Sequence, residues 1–240
     1  MSKYLIVPAL SGLALGCAQF RPPPKGADHE ASATPDACSR GAQIENGEDG
    51  DDQIAVRDGR GGYLYTYGDD KGTELEPKGD DVRPASGGAN GSEYALRIQG
   101  KLGDSDDAFA GIGFAFAEPK GPYDASRWRG VSFMARRSPA TVAAARLKIP
   151  DVHTDPDGKV CTDCYNDFGV AFQLEEGWTR YEVDFANLKQ EPDWGNPRPE
   201  KIDPAKLYGL QWQVVGRKGE FDLWIDDVSF LGCPTGGQEK

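Results

Sequence analysis

The chain has 240 residues, and its 27 Lys and Arg against 39 Asp and Glu give a net charge of −12, which argues against nucleic acid as a partner. Hydrophobic residues make up 38% of the sequence, so a core is expected and disorder throughout the chain is excluded. No apolar run reaches the roughly 18 residues of a spanning helix, which excludes a multi-pass membrane protein.

The first residues of the chain have the pattern of a signal peptide. Over residues 1–16, Lys3 precedes an apolar stretch too short to span a bilayer, and Gly16 lies directly before Cys17. This is similar to a bacterial lipobox, in which the cysteine is acylated, although Ala14 stands where leucine is usual. An ordinary signal peptide cut elsewhere and an apolar first strand are the alternatives. We expect a lipid anchor on Cys17, and hence an outer-membrane or cell-surface lipoprotein, or else a periplasmic or extracellular protein.

A tether, one domain and a short tail are expected in the rest of the chain. Residues 17–42 are rich in proline and small polar residues and cannot build a core, which favours a flexible tether. Residues 43–233 show short alternating segments separated by Gly, Pro and Asp, as is typical of a β-sandwich or barrel. Residues 234–240 are predicted to be a disordered tail. Nine strands are predicted, at 62–68, 94–100, 112–117, 130–137, 144–150, 169–174, 179–185, 207–215 and 221–230.

Apolar and polar side chains alternate within these predicted strands. In the strand predicted at 207–215, Leu210, Trp212 and Val214 point to one face. Gln211 and Gln213 point to the other face. One face of each strand is therefore expected to be core, and the opposite face to be polar but not merely charged.

The five cysteines suggest a disulfide framework. With Cys17 acylated, four remain in an exported protein, and three pairings are possible. We predict Cys38–Cys233, which would join the two ends of the domain, and Cys161–Cys164, which would close a small loop. A redox pair and half of a zinc site are the alternatives for Cys161 and Cys164. The polar surroundings and the lack of a second Cys-x-x-Cys argue against both.

Three segments carry a further pattern: the acidic run at 44–50, the glycine turn and aromatic strand at 59–69, and the closing strand at 221–230 with its Ile-Asp-Asp-Val. Together they resemble the jelly-roll carbohydrate-binding modules of the galactose-binding-like superfold. The β-glucan-binding modules of bacterial cellulases and the intermediate-associated type of domain are the most similar. The segments that contain Cys161, Trp178 and Trp194 resemble anchored envelope proteins with this domain. The resemblance covers about residues 43–232 and implies an all-β jelly-roll sandwich with a concave sheet.

The same resemblance implies a structural calcium ion. In that family, acidic groups near the first strand meet an aspartate in the last strand. The matching positions here are Glu45, Glu48, Asp49, Asp226 and Asp227. Calcium takes hard oxygen ligands, and five of the eight residues at 45–52 are acidic and would repel one another without a cation. A solvated acidic turn is the alternative.

A glycan site is predicted on the face of the sandwich that carries polar and aromatic side chains. Sugars present apolar C–H faces and hydroxyl groups, which aromatic rings, amides, guanidinium groups and carboxylates recognise. Ordinary strand packing is the alternative for each tyrosine, whereas paired glutamines on a non-core face have little packing value. The predicted sugar-binding residues are Tyr63, Tyr65, Tyr67, Arg136, Lys148, Trp194, Gln211 and Gln213.

The function predicted from the sequence is carbohydrate binding without cleavage, by a monomer that touches a membrane only through its lipid anchor. A structural envelope lipoprotein that binds a protein is one alternative, and a glycoside hydrolase is the second. Catalysis has little support, because carboxylate pairs arise by chance among 39 acidic residues, and His29 and His153 suggest no triad. An open groove with exposed aromatic side chains would favour a glycan, whereas a filled or flat face would favour a protein partner.

Overall fold

A computed structural model describes residues 41–232 of the chain. Within this range the fold consists of strands joined by loops and by three short 3-10 helices, at Pro156–Gly158, Phe185–Asn187 and Pro204–Lys206. The strands are β1 (Gln43–Glu45), β2 (Leu64–Gly68), β3 (Glu74–Glu76), β4 (Ala85–Ser86), β5 (Tyr94–Leu102), β6 (Ala108–Ala115), β7 (Gly130–Arg137), β8 (Ala144–Ile149), β9 (Phe168–Gln173), β10 (Thr179–Asp184), β11 (Gly209–Gly216) and β12 (Gly219–Leu231).

The strands form two antiparallel sheets. The seven-stranded sheet has the order β10-β7-β12-β5-β3, and in addition β1 pairs with β12 and β4 pairs with β5. The five-stranded sheet has the order β2-β6-β11-β8-β9. Many of the neighbours within each sheet are distant in sequence, as in a Greek-key or jelly-roll sandwich. The all-β sandwich predicted from the alternating pattern is confirmed.

One apolar core lies between the two sheets. The fully buried Trp212 of β11 packs against Phe133 of β7, in the opposite sheet, at 5.4 Å between ring centroids. Phe114 of β6 contacts the same indole at 5.7 Å. Leu210 and Val214, on the same face of β11, are also buried, as the alternation predicted. Each sheet therefore has one face in the core and one outer face that is available to a ligand.

All nine predicted strands are present, and β7 has the predicted bounds. The largest difference is in β6, which begins at Ala108 rather than at residue 112. The short strands β1, β3 and β4 were not predicted from the sequence. These strands are two or three residues long, which is too short for an alternating pattern to show.

Several predictions concern residues outside the described range. These are the signal peptide at 1–16, the lipid on Cys17, most of the tether at 17–42, the Cys38–Cys233 disulfide and the tail at 234–240. No helix of residues 41–232 combines the length and the apolar character that crossing a membrane would need.

Candidate functional site

Two rows of side chains cross the outer face of the five-stranded sheet. Each row has a tyrosine on β2, a glycine on β6, a glutamine on β11 and a basic residue on β8. The first row is Tyr65, Gly113, Gln211 and Lys148, and the second is Tyr67, Gly111, Gln213 and Arg146. Antiparallel pairing therefore brings together tyrosines and glutamines that are almost 150 residues apart in the sequence.

The glycines on β6 leave room for the tyrosine rings to lie over the sheet. A Cβ atom at Gly111 would be 2.3 Å from Cζ of Tyr67, so the ring occupies the space of the missing side chain. Each ring thereby reaches across β6 to a glutamine on β11. The amide of Gln211 donates a hydrogen bond to the Tyr65 hydroxyl at 2.9 Å, and the Tyr67 hydroxyl lies 3.4 Å from Oε1 of Gln213.

Three tyrosines of the segment around β2 form a continuous aromatic surface. The ring centroids of Tyr63 and Tyr65 are 5.9 Å apart, and those of Tyr65 and Tyr67 are 6.2 Å apart. Burial raises the pKa of Tyr65 and of Tyr67, so both phenols stay neutral and act as hydrogen-bond donors and acceptors at any physiological pH. This surface has the mixed apolar and polar character that a sugar ring requires.

An ion pair lies at the β8 end of the first row. Only one of its two residues, Lys148, was predicted from the sequence to bind sugar. Nζ of Lys148 is 3.1 Å from Oδ2 of Asp167, the residue directly before β9. Asp167 is 2% exposed, and its Oδ1 has no hydrogen-bond partner among the described residues. Burial raises the pKa of Asp167, whereas the ammonium of Lys148 lowers it. Asp167 is therefore a buried carboxyl group of the cleft lining that pairs with Lys148.

Two loops beside these rows each carry one exposed aromatic side chain, and together they form the aromatic wall. Trp194 is 40% exposed and Tyr165 is 62% exposed. The buried Asn166 holds the two segments together, because its Nδ2 donates to the carbonyls of Trp194 at 2.6 Å and Glu191 at 3.0 Å. The backbone amide of Glu191 donates in return to Oδ1 of Asn166 at 2.8 Å. The side chain of Asn166 therefore holds together the two loops that carry Tyr165 and Trp194.

The Cys161–Cys164 disulfide lies in the same wall. The predicted pairing is confirmed, with 5.2 Å between the two Cα atoms. Next to it, the backbone amide of Asn196 donates to the carbonyl of Asp163 at 3.0 Å, which joins this turn to the segment that carries Trp194. The disulfide therefore stabilises the wall of the cleft rather than the core of the sandwich.

The two rows and the aromatic wall line an open cleft of about 960 Å³. Its lining contains seven of the eight predicted sugar-binding residues, and more carboxylates than cations. The carboxylates are Asp106, Asp107, Asp155, Asp167 and Glu191, and the cations are Lys120, Arg146 and Lys148.

Arg136 is the predicted residue that does not belong to this cleft. It lies on β7, in the seven-stranded sheet, where its guanidinium lies over the rings of Trp178 and Trp224. The alternation correctly placed Arg136 on the outer face of its strand, but the two sheets have two different outer faces. Its assignment to the tyrosine surface was therefore wrong.

The predicted calcium ligands lie elsewhere, around β1 and β12. Glu45 is almost completely buried and accepts hydrogen bonds from the backbone amides of Asn46, Gly47 and Ala55. Burial raises the pKa of Glu45 to about 7, and the charge of Asp49 also raises it. No basic side chain of the described residues forms an ion pair with this buried carboxylate.

Asp226 is the second buried carboxylate of this region. It accepts a hydrogen bond from the backbone amide of Ala89 at 2.7 Å, and burial raises its pKa to about 6. The charges of Asp227 and Glu48 raise this pKa further. In residues 41–232, no three acidic, histidine or cysteine side chains converge as metal ligands. The oxygen donors fit a hard cation in kind, but backbone carbonyls would have to complete its shell.

Comparison with known proteins found similar structures but no similar sequence. No family model matches the sequence, and no curated protein matches it. A family 11 carbohydrate-binding module from Clostridium thermocellum, solved in complex with a β-1,3-1,4-mixed-linked tetrasaccharide, is 14% identical with a TM-score of 0.55. The match covers 80% of this chain and 96% of the module.

Two family 30 carbohydrate-binding modules are similar as well. One, from a cellulosomal cellulase of Clostridium thermocellum, is 12% identical with a TM-score of 0.51, and the match covers 77% of this chain and 98% of the module. The other is 12% identical with a TM-score of 0.55, over 83% of this chain and 91% of the module. The chain has the fold of the β-sandwich carbohydrate-binding modules. The fold predicted from the three sequence segments is confirmed.

Proposed function

We propose that the protein is a non-catalytic carbohydrate-binding domain and that the cleft of the five-stranded sheet takes a neutral glycan chain. The observation that carries this proposal is the double row of tyrosine and glutamine side chains beneath an open cleft. A sheet face that served only for packing would not leave a volume of about 960 Å³ beside exposed aromatic rings.

The shape and charge of the cleft favour a neutral sugar over a protein or an acidic sugar. An open groove with exposed aromatic side chains suits a flexible chain of sugar rings, whereas a protein partner suits a flatter surface. The lining has five carboxylates and three cations. A ligand with its own carboxylates would therefore meet a net negative surface.

Different residues of the cleft contact different parts of the sugar. The rings of Tyr65 and Trp194 offer apolar faces to the C–H faces of the sugar. Gln211 and Gln213 offer amide donors and acceptors to hydroxyl groups. The carboxylate of Asp167, beside Lys148 in the lining of the cleft, offers a further acceptor.

The absence of cleavage is part of the proposal. Two carboxylates of the cleft, Asp155 and Asp167, are each paired with an ammonium group, at 2.7 Å from Lys120 and 3.1 Å from Lys148. A carboxylate held by an ammonium group suits hydrogen bonding to hydroxyl groups. The similar solved structures are themselves binding modules.

The test is calorimetric titration with a neutral β-1,3-1,4-linked tetrasaccharide and with other neutral oligosaccharides. We expect weak binding, and replacement of Trp194 by Ala should lower the affinity at least about fivefold, through loss of one aromatic platform. Tyr94→Ala is the matched control, because Tyr94 is similarly exposed at 36% but lies outside the cleft. Equal losses in both variants, or no binding of any neutral glycan, would refute the proposal.

We also propose that calcium stabilises the region around Glu45 and Asp226. Two buried carboxylates with raised pKa values and further acidic neighbours support a bound cation. Carboxylates such as Glu48 and backbone carbonyls would complete the ligand set. Titration of the chelator-treated protein with calcium should raise its melting temperature, and an unchanged melting temperature would count against the site.

The proposed place of the domain is the bacterial envelope. The pattern at residues 1–17 supports export and acylation of Cys17, and the tether would hold a monomeric domain away from the membrane surface. Mass spectrometry of the membrane fraction should find a diacylglyceryl group on Cys17. A mature protein with an unmodified Cys17 in the soluble fraction would contradict the anchor.

A further inference from the structure

The outer face of the seven-stranded sheet, opposite the cleft, carries a row of arginine and tryptophan side chains. Trp224 of β12 lies directly between Arg97 of β5 and Arg136 of β7. The two guanidinium carbons are 4.5 Å and 4.1 Å from the centroid of its ring. Trp178, just before β10, extends the row, and its ring centroid is 5.1 Å from the guanidinium carbon of Arg136.

The two arginines of this row differ in their acceptors. The guanidinium of Arg97 forms two hydrogen bonds of 2.8 Å to the carboxylate of Asp222, which neutralises it. Arg136 has neither a hydrogen bond nor an ion pair within residues 41–232. Every other arginine in that range has at least one such partner. The row therefore carries one unneutralised positive charge in a protein whose net charge is −12.

The contacts of Arg136 prepare it to bind an anion. Stacking on two indole rings occupies the faces of the guanidinium group but leaves its N–H groups, which lie in the plane, free to donate. Burial and the charge of Arg97 lower the pKa of Arg136, and the charge of Asp222 raises it. A bound carboxylate would supply the missing acceptor in the bidentate geometry that guanidinium groups favour.

Polar groups suited to hydroxyl groups lie beside this row on the same face. Gln99 and Asp222 are directly opposite each other on β5 and β12, and the Ser138 hydroxyl donates to Asp222 at 2.6 Å. These three residues line an open groove of about 370 Å³ together with Glu74, Glu76 and Glu220, so this end of the face is acidic. The half-buried ring of Trp178 lies at the other end of the row. An apolar ring face beside a free guanidinium suits an acidic sugar better than a peptide, whereas the acidic groove suits only a neutral sugar next to it.

We propose that this face is a second binding site, in which Arg136 takes the carboxylate of a single uronic acid residue in an otherwise neutral glycan. Trp178 contacts the C–H face of that sugar, and the groove at Gln99 and Ser138 takes hydroxyl groups of the neutral neighbouring residue. The site does not depend on the proposed function of the cleft, because the two lie on the outer faces of different sheets.

The experiment titrates the full chain with a neutral xylan oligosaccharide that carries one glucuronic acid residue and follows the indole N–H resonances of Trp178 and Trp224. The expected result is a saturable shift of the Trp178 signal. The same oligosaccharide with its carboxyl group reduced to an alcohol should bind at least about tenfold more weakly, because a charge-assisted bidentate pair is lost. Arg136→Gln should reduce the affinity to a similar extent, and Arg136→Lys should retain only part of it, because an ammonium lacks the planar fork.

Arg180→Gln is the matched control. Arg180 is an exposed arginine on the neighbouring β10 that already pairs with Glu182 at 3.0 Å, so its loss should leave binding of the glucuronic acid oligosaccharide unchanged. Equal losses in Arg136→Gln and Arg180→Gln would show non-specific attraction and overturn the proposal. Equal affinity for the reduced oligosaccharide, or tighter binding of a glutamate tetrapeptide, would overturn it as well. Normal binding of a neutral glycan by Arg136→Gln would show that the variant is folded and that the cleft is unaffected.

Discussion

Replacing Gly111 by Ala tests how the cleft is built. Its added Cβ would lie 2.3 Å from Cζ and 2.5 Å from Oη of Tyr67, a separation that no stable structure keeps. The conflict is with the end of a side chain and not with the backbone, so we expect the Tyr67 ring to turn away while β6 keeps its pairing. The change should therefore damage the site more than the fold.

The expected magnitudes follow from what the ring loses. Overpacking a sheet face costs about 1–3 kcal/mol, and the lower end applies because the ring has open cleft space to enter. The hydrogen bond that is broken, from Tyr67 to Gln213, is long at 3.4 Å and contributes little to stability. Loss of one aromatic platform and its aligned hydroxyl should weaken glycan binding by about 1.5–3 kcal/mol, or roughly tenfold to a hundredfold.

The assay is a double-mutant cycle with Gly111→Ala, Tyr67→Ala and the combined variant, measured by calorimetric titration with a neutral tetrasaccharide and by thermal unfolding. Once Tyr67 is an alanine, the Cβ at position 111 has no ring to displace, so the second change should cost less than about 0.5 kcal/mol in either measurement. Gly177→Ala is the control, because its Cβ would meet no atom within 4 Å.

Two results would refute this reasoning. If Gly111→Ala and Tyr67→Ala reduced binding additively, the glycine would not act through the tyrosine. If Gly111→Ala unfolded the protein while binding by the folded fraction stayed normal, the ring would have no part in recognition. The cycle therefore separates a role of Gly111 in the site from a role in the sheet.

Three further predictions concern the calcium region, the wall and the ion pair of the cleft. Burial raises the pKa of Glu45 from 4.5 to about 7. Without calcium, the folded state therefore holds a proton on Glu45 that the unfolded state releases between these pH values. The contribution of Glu45 to stability falls as the pH rises from about 4.5 to 7. Calcium should therefore raise the melting temperature more at pH 8 than at pH 5, and equal shifts would argue against the site. Replacing Cys161 and Cys164 by serine should cost about 2 kcal/mol in unfolding free energy, as for a short loop, and weaken glycan binding in calorimetry; unchanged binding would show that the wall does not need the disulfide. Lys148→Met should destabilise the protein by about 3 kcal/mol in denaturant unfolding because it leaves Asp167 buried without its cation, and added Asp167→Asn should recover part of this loss; a lack of recovery would contradict the pairing.

The alternating pattern predicted which face of a strand is polar, but not which sheet the strand joins. Gln211 and Arg136 were both correctly placed on outer faces. The sandwich has two such faces, and the partners of a strand depend on contacts between residues that are distant in sequence. Arg136 was therefore grouped with the tyrosines, although β7 belongs to the other sheet.

Two parts of the cleft had a sequence signal that was not used. Gly111 and Gly113 stand at alternate positions of β6, and glycine in a strand often marks the close approach of another group. Together with the tyrosines at alternate positions of β2, they would have predicted rings lying over a neighbouring strand. Asp167 was harder to predict from the sequence. Its ion pair with Lys148 forms only because β8 pairs with β9, which brings the two residues together.

The two proposed sites differ in how their cations are held, and this follows from how each outer face is built. In the cleft, the cations Lys120 and Lys148 are neutralised by aspartates, so carboxylates remain in excess. On the opposite face, Arg136 is held by indole rings, which attract a cation without neutralising it. The close-packed core between the sheets separates the two faces, so a neutral and an acidic glycan would not compete. A domain with both sites would therefore bind two different polysaccharides at once. A substitution could remove either site and leave the other intact.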